Sequence, residues 1–397
     1  MRITLVGFGL SNRELFKRIK NRYEIFVSET RKLTSEEKIL LRGFEYEEEH
    51  SKKLLDSDLI VVSPGISPRS FVGKMVLESG IRRGTELDKA FELLDLEPGI
   101  VIGVTGTNGK TTTSSMIAHV LSKFGYEVFL GGNNENPVSR MVKRYDFTVL
   151  EISSFQLFWA ESLKIDIGLV INISHDHEDW HGSFKDYVRS KLRMAEFSKK
   201  FLVGESASRY VDARVFDYID PEDVPHHLRT NQNVENVSAV VSALRDLGFD
   251  EKKVIEALSD FVVPQHRMEL VDEIDGVLFY DDSKATNVHA VERAISNFDP
   301  KRVVLIVSGI LKEDPSKLKE ILENVKGFVV LGGRMGKTLG LEHVDTMEEA
   351  VKEAFKMAEK GDVVLLSPAG ASFDMFRNYA ERGESFKRAV EGLKVGI

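Results

Sequence analysis

The 397-residue chain contains no cysteine, which removes disulfides, thiolate nucleophiles and cysteine-held zinc at once and fits a reducing compartment. It also lacks a basic surplus. Lys and Arg number 54 against 63 Asp and Glu, a net charge of −9, so nothing resembles the basic tract that would neutralise a phosphodiester backbone. Nucleic acid is therefore not an expected partner. No apolar run reaches the ~18 residues of a membrane span, and the amphipathic start RITLVGFGLSNRELFKRIK lacks the shape of a signal peptide. The expectation is a soluble, cytoplasmic, monomeric protein without a membrane partner.

Short Val/Ile/Leu-rich runs alternate with segments of helical period, the pattern of parallel sheets covered by helices. The fold class is α/β. Strands are expected at residues 3–6, 25–27, 59–62, 100–105, 147–152, 167–173, 303–307, 328–331 and 363–366, with paired helices near 233–247 and 251–260. The punctuation at Leu96-Glu-Pro-Gly99 and Val263-Pro264 divides the chain into residues 1–92, 93–264 and 265–397. These read as a Rossmann-like domain, a central P-loop ATPase-like domain with a mostly parallel sheet, and a second Rossmann-like domain.

Residues 103–112, Gly-Val-Thr-Gly-Thr-Asn-Gly-Lys-Thr-Thr, follow an apolar strand and open a helix, the context of a phosphate-binding loop. Backbone N–H groups of Gly106, Thr107, Asn108 and Gly109 would converge on phosphate oxygens, Lys110 would add charge, and Thr111 would offer a hydroxyl to Mg²⁺. Val104 stands six residues before the lysine, where the common pattern has glycine. The loop is a variant. A second glycine-rich turn, Val6-Gly-Phe-Gly-Leu-Ser-Asn12, has Asn12 in place of the third glycine of a dinucleotide fingerprint, while Glu29 sits where an acid would grip a ribose hydroxyl. An NAD-dependent oxidoreductase is thus one rival reading, and a nucleotide-binding switch another.

Glu151 ends the apolar run Phe147–Leu150 with no other charge nearby, which suits a ligand of phosphate-bound Mg²⁺. His175-Asp-His-Glu-Asp-Trp-His181 approaches the HxHxDH signature of binuclear zinc hydrolases, but Trp180 occupies a required histidine position. Such a hydrolase would have no use for the phosphate loop, so His177 is better placed at a Mg²⁺–phosphate centre. Lys191 lies in the amphipathic stretch 184–197, and its pattern alone reads as a solvated helix lysine.

With these residues, the chain resembles the Mur ligase family, and within it the D-glutamate-adding branch, through GTNGKTT (106–112), LEISSFQL (150–157), Asp176-His177, SKLRMAE (190–196), DDSKATN (281–287) and LSPAGASFDMFRNYAERGESF (366–386). The resemblance spans essentially the whole chain. It implies an ATP-dependent ligase of peptidoglycan precursor synthesis that joins D-glutamate to UDP-N-acetylmuramoyl-L-alanine through an acyl phosphate and a tetrahedral intermediate. By the same resemblance, Leu10, Ser11, Glu29, Thr30, Arg31 and Gly65 contact the UDP end and Asn133 the muramoyl part. ATP falls to the loop residues Gly106 to Thr112 with Asn233, Asn236, Arg267 and Asp282. Two Mg²⁺ ions fall to Thr111, Glu151, His177 and Lys191, the last converted by CO₂ to a carbamate, since an ammonium cannot bind Mg²⁺ and a carbamate oxygen can. Lys110, Glu151, His177 and Lys191 form the implied catalytic set, and Lys284, Thr286, Lys312, Ser372 and Tyr379 the amino-acid site. The sequence departs from the family at Gly131-Gly-Asn-Asn-Glu135, at Glu29, where aspartate is usual, and at Tyr379, where phenylalanine is commoner. Other Mur ligases and folylpolyglutamate synthetases share the loop and the Mg²⁺ carboxylate and are the nearest alternatives.

Overall fold

The computed structural model describes residues 1–134 and 136–395; Glu135, at the family departure above, lies outside them. Three α/β sheets are formed, and the chain divides into two compact units. Residues 1–226 with 235–261 make the first, and residues 227–234 with 262–397 the second.

The first unit holds two sheets. Strands β1 (Arg2–Val6), β2 (Glu24–Ser28), β3 (Glu45–Glu47), β4 (Leu59–Val62) and β5 (Arg82–Gly84) lie in the order β3-β2-β1-β4-β5, all parallel. Ile3, Leu5, Val6 and Leu59 to Val62 are wholly inaccessible, as continuous apolar runs must be when helices cover both faces. The chain winds one way from β1 and then returns to place β4 on its other side, so the crevice at the C-terminal ends of β1 and β4 is a topological switch point, where ligands of open α/β sheets bind.

The second sheet consists of β6 (Ile100–Thr105), β7 (Val128–Gly132), β8 (Phe147–Glu151), β9 (Ile165–Val170), β10 (Ser198–Val203) and β11 (Arg214–Val215), in the order β11-β10-β9-β6-β8-β7, again all parallel. Here β6 lies between β8 and β9, so the phosphate loop, Glu151 and the Asn172–His177 segment leave one edge side by side.

In the second unit, β12 (Glu269–Ile274), β13 (Val277–Asp281), β14 (Val303–Ser308), β15 (Gly327–Leu331) and β16 (Val363–Ala369) lie in the order β12-β13-β16-β14-β15, with only β12 antiparallel. Asp281–Lys284 and Ser367–Ser372 leave the C-terminal ends of neighbouring strands.

Candidate active site

The loop after β6 turns into the helix Lys110–Lys123 through Gly109, whose φ of +83° lies in the left-handed region. A Cβ there would also meet Asn236 Oδ1 at 2.4 Å, so glycine is required twice over. Asn236 is wholly buried and accepts from Thr113 Oγ1 at 3.2 Å, bracing the loop from the helix Asn231–Asp246, which also carries buried Asn233. Not every loop N–H faces outward. Thr107 N–H donates to Asn172 O and Asn108 N–H to Asn172 Oδ1, both at 2.9 Å. Lys110 is half-buried and donates to Gly106 O at 2.8 Å and Thr107 O at 2.9 Å, with Thr112 buried behind it.

Glu151 is buried at the end of β8, where its Oε1 accepts from Asn133 Nδ2 at 3.1 Å. Its Oε2 is buried and makes no hydrogen bond among the described residues. An orphaned carboxylate oxygen is costly unless a cation meets it. Set beside a phosphate loop bearing Thr111, this donor fits a hard divalent ion, which takes oxygen ligands. His177, at φ +55° and half-buried, stacks edge-on to Phe155 at 4.7 Å, with its Nε2 3.5 Å from Asp176 Oδ2. His181 is the buried histidine of the cluster, contacting Ser154 Oγ at 3.0 Å and Ser190 Oγ at 3.3 Å. Burial first, then the positive charges of Lys191 and His177, push its pKa down to about 4.

Lys191 corrects the reading of its helical pattern. The amphipathic stretch breaks into the helices Phe184–Leu192 and Met194–Phe197, and Lys191 is 2% exposed rather than solvated. Its Nζ donates to Gly106 O at 2.7 Å, the carbonyl Lys110 also uses, and lies 4.7 Å from the centre of the Tyr187 ring. Burial, then the charge of Lys110, hold its pKa well below the usual lysine value, against a smaller opposing pull from Asp176. The Tyr187 hydroxyl lies 2.9 Å from Thr107 Oγ1, so one ring supports both the loop and the lysine.

At the N-terminal turn, the Glu29 carboxylate accepts from the backbone N–H of Phe8 (2.8 Å), Thr30 (2.8 Å) and Arg31 (3.3 Å). It shapes the turn. Asn12, in the third-glycine position, donates from Nδ2 to Gly7 O at 2.7 Å and to Val6 O and Val61 O at 3.3 Å, tying the helix start to β1 and β4. Arg31 pairs bidentately with Glu37 at 2.7 and 2.8 Å, and this hydrogen-bonded guanidinium holds the Glu37 carboxyl down at about 2. Leu10 and Ser11 are half-buried beside this turn, Thr30 is exposed, and exposed Gly65 accepts from Trp180 Nε1 at 3.3 Å.

In the second unit, Asp282 is buried, accepting from Ser367 Oγ and Met268 N–H, both at 3.2 Å, and burial raises its pKa to about 7. Arg267 is its charged neighbour. Lys284 places Nζ 3.7 Å from the centre of the Tyr379 ring, while Thr286 is half-buried, Ser372 buried and Lys312 exposed. Fully buried Arg382 joins the two loops of this sheet, donating to Ser283 Oγ (3.0 Å), Ser283 O (2.8 Å) and Gly370 O (3.0 Å). Ligand atoms of His266, Glu269 and Asp281 also gather within 4.8 Å. Their space is filled, because His266 Nδ1 and Asp281 Oδ2 are 2.6 Å apart and a Cβ on Gly383 would lie 2.1 Å from that nitrogen.

Residues 2–72 match the MurD N-terminal domain, 104–213 the Mur ligase middle domain and 266–370 the Mur ligase glutamate ligase domain. The UDP-N-acetylmuramoylalanine–D-glutamate ligase of Thermosipho melanesiensis is 42% identical over 427 residues, covering 100% of this chain and 99% of the relative. The chain belongs to the Mur ligase family. The enzyme of the same name from Thermotoga maritima is 41% identical over 428 residues, covering 98% and 97%. Two solved Mur ligases of Thermotoga maritima share the fold. They are the UDP-N-acetylmuramate-alanine ligase MurC (TM-score 0.59, 19% identity, 100% of both chains) and MurF in complex with ADP (TM-score 0.58, 17% identity, 98% and 95%).

In this Mur ligase, Lys110, Glu151, His177 and Lys191 all lie at the C-terminal edge of the second sheet, Lys191 through its bond to Gly106 O. Asn172, Tyr187 and Arg382 escaped the sequence reading, which met His181 only as a member of the 175–181 cluster. Arg382 and Tyr187 carried a signal, since the first lies within the 366–386 motif and the second one helical turn before Lys191, but neither residue type announces a brace.

Proposed function

We propose that this ATP-dependent Mur ligase joins D-glutamate to UDP-N-acetylmuramoyl-L-alanine, releasing ADP and phosphate. The observation that carries the reading is the crevice at the ends of β6, β8 and β9, which combines a phosphate loop, the orphaned Glu151 oxygen and buried Lys191. Full-length similarity to relatives bearing that name supports the choice of substrates. Residues 1–92 hold the UDP end, residues 93–264 ATP, and residues 265–397 the amino acid. The enzyme acts as a cytoplasmic monomer, within cell-wall synthesis and so cell division and shape.

A carboxylate resists attack by an amine, so the terminal alanine carboxylate first takes the γ-phosphoryl group of ATP, giving an acyl phosphate and ADP. Lys110 screens the two anions that must meet. The amine of D-glutamate then attacks the carbonyl carbon; the tetrahedral intermediate loses a proton from nitrogen and expels phosphate as the amide forms. Thr111, Glu151, His177 and Lys191 would hold Mg²⁺, which when bound neutralises phosphate charge. CO₂ requires a neutral amine, which the downward pKa shift of Lys191 favours, and carbamate formation joins N to C with loss of one proton. Lys284, Thr286, Lys312, Ser372 and Tyr379 orient the carboxylates of D-glutamate.

Phosphate release, with product mass, is the test. Release should require both UDP-N-acetylmuramoyl-L-alanine and D-glutamate. Release without an acceptor, or faster release with another amino acid or a folate, would overturn the assignment.

A further inference from the structure

The connection from β7 to β8 opens with Asn133. Asn133 N–H donates to Glu151 O at 2.8 Å and its Nδ2 to Glu151 Oε1, so the loop sets the carboxylate from outside the strand. Further along this loop, Ser139–Met141 are tied down by residues of the first sheet's domain. Glu86 Oε1 accepts from Ser139 N–H at 2.5 Å, Arg18 Nη1 donates to Ser139 O at 2.7 Å and Met141 O at 3.0 Å, and Glu14 lies 3.5 Å from Arg140 Nε. Glu86 is 1% exposed, its Oε2 has no hydrogen-bond partner among the described residues, and Asp88 and Arg140 are the charges facing it. A carboxylate buried this deeply is expensive, and its one strong bond goes to the loop backbone.

We infer that Glu86, assisted by Arg18, is a positioning residue that holds the Asn133 loop and thereby aims Glu151 at the divalent cation. The inference rests on the metal reading proposed above and deepens it: the domain assigned to the UDP end would help set the metal ligand of the domain assigned to ATP. A second grip by the same helix, Glu86–Leu93, offers a control. Asp88 Oδ2 accepts from Glu161 N–H, Ser162 N–H and Ser162 Oγ at 3.0–3.3 Å, on the loop after the helix Ser154–Trp159 rather than the loop of Asn133.

Mn²⁺ binding to the full chain with a non-hydrolysable ATP analogue, followed by the EPR signal of free Mn²⁺, tests this directly. Glu86→Ala should weaken Mn²⁺ about tenfold, the lower end of what indirect metal-site partners give. Glu86→Gln, whose amide oxygen still accepts from Ser139, should stay within about twofold of wild type. Asp88→Asn should lower the melting temperature with Mn²⁺ affinity unchanged. Should Glu86→Ala fail to fold, Arg18→Met should weaken Mn²⁺ about threefold, in the same direction. Unchanged Mn²⁺ affinity in Glu86→Ala, or in Arg18→Met used in its place, would overturn the inference. So would equal weakening by Asp88→Asn. A wild-type chain that binds no Mn²⁺ beside the nucleotide would instead defeat the metal reading beneath it.

Discussion

Lys191 and Arg382 are both long cationic side chains buried to the same depth, yet their surroundings differ. Arg382 spends three donors on three acceptors, and although burial lowers its pKa to about 10, it remains charged at neutral pH. Among the described residues Lys191 donates only to Gly106 O, a carbonyl shared with a second lysine, and its pKa falls well below the usual value. A buried cation with a full set of partners is a brace. One with a shared partner and a like charge nearby is held ready for chemistry that removes its charge.

The largest effect should separate the two. Arg382→Ala leaves Ser283 and Gly370 oxygens buried without their donor and should cost roughly 3–5 kcal/mol of stability in denaturant unfolding. Lys191→Ala should leave stability within about 1 kcal/mol, since a poorly paired buried charge is lost. If the two variants unfold alike, the comparison collapses.

Activity should invert the order. On the proposed carbamate, Lys191→Ala should slow phosphate release roughly 100-fold, and acetate should restore part of it by refilling the space that the carbamate would fill. Full activity without acetate would sink the carbamate.

Glu86 sharpens the contrast from the side of a buried acid, with the smallest effect. Burial raises its pKa from 4.5 to about 7, so between those values the folded chain keeps a proton that the unfolded chain has released. Its contribution is therefore complete below pH 4.5 and lost as pH rises through 7. From pH 5 to 7 the loss is about 2 kcal/mol, and Glu86→Gln should remove that part of the slope. Buried Asp282, with the same direction of shift, would keep its own share in both proteins. Parallel stability profiles for wild type and Glu86→Gln would contradict this.

Continuous apolar runs made the central strands legible: β1, β4, β6, β8 and β14 lie within one residue of where Val, Ile and Leu place them, and β16 starts at the expected residue but runs three further. Strands lacking such runs were invisible. β3 is Glu-Tyr-Glu, β5 is Arg-Arg-Gly, β10 begins Ser-Lys-Lys, and β12 carries three acids, because edge or near-edge strands bury less. The strand, glycine-rich loop and helix of residues 100–123 were legible from their spacing, and the place of Glu151 at a strand end from the apolar run before it. Burial of Lys191 was not, since a helical period shows which residues share a face but not that another loop, here Gly106, covers that face. Asn12 likewise read as a damaged fingerprint when it is a three-way tie between strands.

The chain has only two tryptophans, and both indoles hydrogen-bond to the same short segment: Trp159 to Ile66 O at 2.9 Å and Trp180 to Gly65 O. Both are buried. Intrinsic tryptophan fluorescence of this protein is thus an unlabelled optical gauge of one seam between the first two sheets, silent about the second unit's own interior. A red shift in emission reports the opening of that seam to water. On the proposed placing of the UDP end at Gly65, titrating the precursor into the unmodified enzyme should change this emission without any engineered probe.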